Sequence, residues 1–145
     1  MADILAGFGL IQLSRYDGLL KRRCEIIEMY DRALMPLGIQ RLQHYGEEFA
    51  STGHLYLARI AGIGEAERNE IIVKMAEVGV VCNVHYKPLP MFTAYKALGF
   101  DIKDYPNAYK QYSNEIRLPL HTLLSDEDVE YVCKNLKKAM GKILK

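Results

Sequence analysis

Apolar residues recur every three or four positions through the first quarter of the chain, the spacing that lines one side of an α-helix. Ile4, Phe8 and Ile11 share one such face, and Leu19 or Leu20, Ile27, Tyr30 and Leu34 share a second. Two consecutive helices are predicted, and Ser14 with Asp17 three residues on has the pattern of a cap between them. Gly7 and Gly9 fall inside the first helix, where each costs about 1 kcal/mol relative to Ala. Glycines in such a place mark a close approach to another element, here a missing domain or a second subunit. Met35-Pro36-Leu37-Gly38 closes this unit, and residues 40–53, rich in Gln, Glu and Gly, predict a polar, irregular connection.

The period then changes. His54 to Ile60 reads as a strand, Gly62-Ile63-Gly64 as a turn, and Glu65 to about Val78 as a helix stopped by Gly79. Val80 to Tyr86 reads as a second strand, with Val80, Cys82, Val84 and Tyr86 on one face and Val81, Asn83 and His85 on the other. Pro88 and Pro90 end it. Short helices are predicted over Met91–Leu98, ending at Gly99, and from Pro106 through Tyr112, followed by an extended Glu115–Leu120. Ser125-Asp126-Glu127-Asp128 is a capping start for a last helix with Val129, Val132 or Cys133, Leu136, Met140 and Ile143 on its inner side. This order predicts an α+β fold, a small, mainly antiparallel sheet covered by helices.

Composition narrows the classes without choosing among them. The 145 residues are half hydrophobic and carry 19 basic against 18 acidic side chains, a net charge of +1. A chain of this size buries about two-thirds of its unfolded surface, enough for a real core. The charge balance argues against nucleic acid as a partner, because that binding needs a basic excess. No apolar run approaches the roughly 20 residues needed to cross a bilayer, and the first residues lack the basic start of a signal peptide. No membrane and a cytoplasmic location are therefore expected. Cys24, Cys82 and Cys133 are too far apart for a disulfide framework or paired zinc site and read as reduced thiols.

The densest polar and aromatic cluster is Asn83, His85, Tyr86 and Lys87, where a strand gives way to a proline-rich loop. A histidine there can exchange a proton near neutral pH, and a tyrosine hydroxyl or lysine ammonium can hold an anionic or hydroxylated ligand. The plain alternative is packing, with their hydrogen bonds satisfied inside the fold. Cys82 and His85 have a metal-like spacing but no second pair, and Gly62-Ile63-Gly64 lacks the further residues of a phosphate-binding loop. Lys134, Lys137, Lys138, Lys142 and Lys145 crowd the last helix, where its dipole favours cations on a solvated face.

Five stretches, in order, resemble the carboxy-terminal part of the DegT/DnrJ/EryC1/StrS family of pyridoxal-phosphate-dependent sugar-nucleotide aminotransferases. They are Met1-x-Asp3-Ile4-x-Ala6-x-x-Gly9-Leu10-x-Gln12-Leu13; Arg22-Arg23 with Ile26, Tyr30 and Leu34; Arg68; Gly79-Val80 through Val84-His85-Tyr86-x-Pro88-Leu89; and Leu118-Pro119-Leu120 before Ser125–Val129. The resemblance implies a fold-type-I aminotransferase small domain over residues 39–145, with residues 1–38 linking it to a large domain that this chain lacks. In the family that large domain carries the lysine which holds pyridoxal phosphate, so the chain alone is expected to be inactive. The resemblance also places His85 and Tyr86 at the active-site mouth facing a nucleotide sugar, with Asn83 near and Lys87 as a diphosphate contact, in a homodimer. Where the family commonly has a histidine this chain has Pro90, which removes a polar contact. The rival readings are a free-standing regulatory or protein-interaction domain and a small-ligand-binding domain using the Asn83/His85 face.

Overall fold

The computed structural model describes residues 3–143. Met1 of the opening motif and Lys145 of the basic cluster lie outside the described residues, as does the side chain of Lys142. Among the described residues there are six α-helices, α1 (Asp3–Ser14), α2 (Tyr16–Leu34), α3 (Glu65–Glu77), α4 (Thr93–Ala97), α5 (Pro106–Ser113) and α6 (Asp126–Ile143). Three strands, β1 (Ile39–Arg41), β2 (Tyr56–Ile60) and β3 (Glu115–Leu118), form one antiparallel sheet in the order β1-β2-β3. The α+β class with a small antiparallel sheet under helices is as the pattern predicts.

Alternation along the strands divides the sheet into two chemically different faces. Tyr56, Ala58 and Ile60 of β2, with Ile116 and Leu118 of β3, are buried. They join Ile26, Ile27, Tyr30 and Leu34 of α2, Ile71 and Met75 of α3, and Val129, Val132 and Leu136 of α6 in one core. The register sets Leu57 opposite Arg117 and Arg59 opposite Glu115, so the other face of β2 and β3 carries three charged residues. Helix α6 begins as its sequence predicts: Asp128 N–H donates to Ser125 Oγ at 3.1 Å and Ser125 N–H to Asp128 Oδ2 at 2.9 Å. Gly79, at φ +78°, ends α3 in a conformation that costs glycine nothing.

Helix α2 is pinned to the sheet by two buried tyrosines and a half-buried ion pair. The Tyr30 ring packs 4.8 Å from that of Tyr56, and its hydroxyl donates to the Pro119 carbonyl at 2.7 Å. Asp31 accepts from the Tyr56 hydroxyl at 2.9 Å and pairs with Arg41 at 2.8 Å. That pairing holds β1, a strand inside the stretch predicted to be irregular from residue 40. Three residues with one apolar side chain, Ile39, are too few to show alternation, and the strand is fixed by partners distant in sequence.

Two other expectations are corrected. Ser14 does not cap α2: its hydroxyl donates back to the Ile11 carbonyl at 2.9 Å, and Arg15 opens α2 with no side-chain cap. The residues from Val80 to Tyr86 form no regular strand. Only Asn83 bridges to Arg117, because the next two backbone donors are taken by side chains: Val84 N–H goes to Asn83 Oδ1 at 2.8 Å and His85 N–H to Glu115 Oε1 at 3.2 Å. Side-chain acceptors that capture consecutive backbone donors stop a ladder.

Helix α1 stands apart from the core. None of its residues is buried, and Ile4, Leu5, Phe8, Leu10, Ile11 and Leu13 are each at least 60% exposed. A Cβ added at Gly7 or Gly9 would meet nothing within 4 Å, so the approach expected at these glycines is not made within the described chain. No helix among the described residues is long and apolar enough to cross a membrane.

Candidate functional site

The polar face of the sheet and the 83–87 segment meet at one corner. Asn83 and Arg117 exchange backbone hydrogen bonds of 3.4 and 2.7 Å, laying the segment against the free edge of β3. Two residues on, the His85 N–H is held by Glu115, whose side chain is buried and whose other oxygen accepts from Gln111. Glu115 is also where Arg68 converges. The Arg68 guanidinium, 1% exposed, donates to the Tyr112 carbonyl at 2.8 Å and lies 4.7 Å from the centre of the Tyr112 ring. The helix arginine singled out in the sequence therefore ties α3 to α5 and β3 beneath this corner.

The four residues singled out by sequence are placed differently from one another. His85 is half-buried and Tyr86 is 71% exposed, with their rings 3.6 Å apart between centres. The peptide bond joining them is cis. Asn83 is exposed, but its side-chain oxygen is spent on Val84. Lys87 is exposed and turns away to the Phe92 ring, its ammonium 5.4 Å from the ring centre. The structure thus pairs His85 with Tyr86 and does not gather Asn83 and Lys87 with them.

Burial and the nearby Arg117 hold the His85 imidazole below its ordinary 6.5, against an opposing pull from Glu115, with His54 adding to the lowering. At neutral pH the ring is uncharged and offers one donor and one acceptor. Cys82, inside the fold, has its thiol pushed up to about 11 by burial, which makes it a packing residue. Among the described residues no group of three or more His, Cys, Asp or Glu side chains is placed to hold a metal ion.

Beside this corner lies a cleft of about 670 Å³ between the Gly79–Val81 stretch, the β3–α6 connection and α6. Arg23, His54, Arg117, His121 and Asp128 are on its lining, and no lysine is among the described residues there. Glu115, Arg117, His54 and Arg23 were not singled out as site residues from the sequence. A signal was present for two of them: Glu115 and Arg117 alternate with Ile116 and Leu118, the mark of a strand with a polar face.

The family model of the DegT/DnrJ/EryC1/StrS aminotransferase family matches residues 1–137. Among curated proteins, the chain is 31% identical over 143 residues to the spore coat polysaccharide biosynthesis protein SpsC of Bacillus subtilis, covering 94% of this chain and 36% of that protein. It is 27% identical over 148 residues to a Campylobacter jejuni UDP-4-amino-4,6-dideoxy-N-acetyl-beta-L-altrosamine transaminase, covering 100% of this chain and 38% of that one. Among solved structures, Spr1654 of Streptococcus pneumoniae, assigned as a sugar aminotransferase and solved in its PLP form, superposes with a TM-score of 0.93 at 49% identity. That match covers 100% of this chain and 37% of the other. The chain spans little more than a third of the length of these relatives. It belongs to the DegT/DnrJ/EryC1/StrS aminotransferase family, whose members depend on pyridoxal phosphate, and it has the fold of their small domain.

Proposed function

We propose that this chain is the carboxy-terminal domain of a pyridoxal-phosphate-dependent aminotransferase that acts on a nucleotide-linked keto-sugar in the cytoplasm, supplying amino sugars for cell-surface polysaccharide. The substrate class is supported by the Campylobacter jejuni relative, a transaminase named for a UDP-linked amino sugar, and the polysaccharide product by the Bacillus subtilis relative, named for spore coat polysaccharide biosynthesis. Pyridoxal phosphate, when bound, supplies the electron sink through which an amino group is moved between carbon skeletons. The residues described here do not by themselves fit that cofactor. It needs an amine to hold it, and none lines the cleft. The lysine is assigned to a large domain outside this chain, and the chain alone is inactive.

The observation that carries this reading is α1. Its six large apolar side chains, exposed on all sides, make a surface that isolated soluble domains rarely leave uncovered. In this reading residues 1–38 reach the large domain, α1 by its exposed surface and α2 by its first half, while the second half of α2 is built into the core of residues 39–145. A homodimer completes the cover. His85 and Tyr86 face the sugar nucleotide at the mouth: the neutral imidazole exchanges hydrogen bonds with sugar hydroxyls and the exposed Tyr86 ring offers a flat contact.

The test is to incubate the purified chain with pyridoxal phosphate, glutamate and a nucleotide-linked keto-sugar and follow aminated sugar by mass spectrometry. No product is expected from the chain alone. Sustained turnover would overturn the assignment of the lysine to another domain.

A further inference from the structure

The cleft beside β3 holds a charge imbalance that the described residues do not correct. Two guanidiniums, Arg23 from α2 and Arg117 from β3, and the imidazoles of His54 and His121 share its lining with one carboxylate, Asp128. That carboxylate is already engaged at the start of α6, accepting from Ser125 N–H at 2.9 Å. Neighbouring Arg22 takes the other nearby acids, pairing with Glu25 at 3.2 Å and Asp126 at 2.8 Å, and donates to the Leu124 carbonyl at 2.6 Å. Arg23 is left with one long bond of 3.4 Å to the Thr52 carbonyl, and its Nε is buried without an acceptor. The half-buried Arg117 enters no ion pair among the described residues.

A guanidinium presents five N–H donors in a plane that matches the oxygens of a phosphate. Two of them short of acceptors in one cleft, with the N–H donors of two imidazoles beside them, call for an anion with several acceptor oxygens. We infer that this cleft binds a phosphate-bearing ligand, with Arg23 and Arg117 as its clamp. The volume of about 670 Å³ suits a diphosphate or a phosphorylated small molecule rather than a lone ion. The same chemistry is carried by the diphosphate of a nucleotide-linked sugar and by a free phosphate compound. The inference does not rest on the aminotransferase reading, because it concerns phosphate oxygens alone.

The experiment is isothermal titration calorimetry of the 145-residue chain at low ionic strength with inorganic pyrophosphate, UDP and glutamate. It is run on the native chain, Arg117→Met, Arg23→Gln and, as a control on the exposed side of α6, Lys137→Met. Pyrophosphate is expected to saturate a single site, each arginine variant to weaken it by at least about tenfold, and Lys137→Met to leave it unchanged. UDP binding more tightly than pyrophosphate supports the site with a nucleotide as its source, and equal binding supports it with a free phosphate compound. No saturable binding, an equal loss with Lys137→Met, or glutamate binding as tightly as pyrophosphate would each overturn it. Arg117→Met removes no ion pair, so it decides the matter even where Arg23→Gln fails to fold.

Discussion

The Glu115 carboxylate accepts the His85 backbone N–H at 3.2 Å, so a buried acid on β3 fixes where the 83–87 segment leaves the sheet. The same carboxylate accepts from Gln111, at the end of α5. Replacing it with a residue that cannot accept leaves a backbone donor and an amide without partners.

Glu115→Ala is therefore expected to cost about 1–3 kcal/mol in urea unfolding and to speed hydrogen exchange at the His85 amide. Glu115→Gln keeps an acceptor for His85 and is expected to recover most of the loss. An unchanged His85 exchange rate in Glu115→Ala would mean that the segment is held by the Asn83–Arg117 bridge alone.

The core and the exposed helix α1 should respond oppositely to truncation. Ile27→Ala on α2 opens a cavity in the core and is expected to cost about 2–5 kcal/mol. Phe8→Ser on α1, where the ring is 66% exposed, is expected to change stability by less than about 0.5 kcal/mol and to raise the solubility of the isolated chain. Denaturant melts and light scattering separate the two.

His44 gives a pH dependence with a definite sign. It is buried, stacked 6.1 Å from the Tyr56 ring, and its imidazole is held below the ordinary 6.5 first by burial and then by Arg41, against Asp31. A histidine whose folded value is depressed adds stability that is complete above about pH 6.5 and is lost as the pH falls through the folded value. His85 is shifted the same way, so the comparison that isolates His44 is native chain against His44→Phe. The variant is expected to show a shallower fall in melting temperature between pH 7 and pH 5.

Thiol reactivity follows from the same burial. Cys82 and Cys133 are both pushed up to about 11, which leaves almost no thiolate at pH 8. Iodoacetamide at that pH is expected to leave both unmodified in the native chain and to label both in guanidinium chloride, as read by peptide mass spectrometry.

Much of the helical fold was legible because each long helix writes its buried side in the sequence. Val129, Val132, Leu136 and Met140 are spaced as α6 buries them, and Ser125 and Asp128 bond reciprocally where the capping pattern stood. What was not legible depends on partners far along the chain. Strand β1 exists through the Arg41–Asp31 pair and its pairing with β2, and the ladder expected over residues 80–86 is cut by Glu115, thirty residues later. The candidate site shows the same limit: His85 and Tyr86 stood out as a local cluster, whereas Arg117, His54 and Arg23 come to line one cleft only when β3, the segment leading into β2, and α2 are folded. The buried role of Arg68 is a tertiary fact of this kind, since an arginine on a helix reads as a surface residue.

The central claim is that the amine needed to hold pyridoxal phosphate lies outside this chain. It is tested most directly by incubating the chain with the cofactor, reducing with borohydride and mapping pyridoxyl-lysine by peptide mass spectrometry. Absent or scattered labelling is the predicted result, whereas stoichiometric modification of one lysine would contradict the account and give the chain a cofactor site of its own.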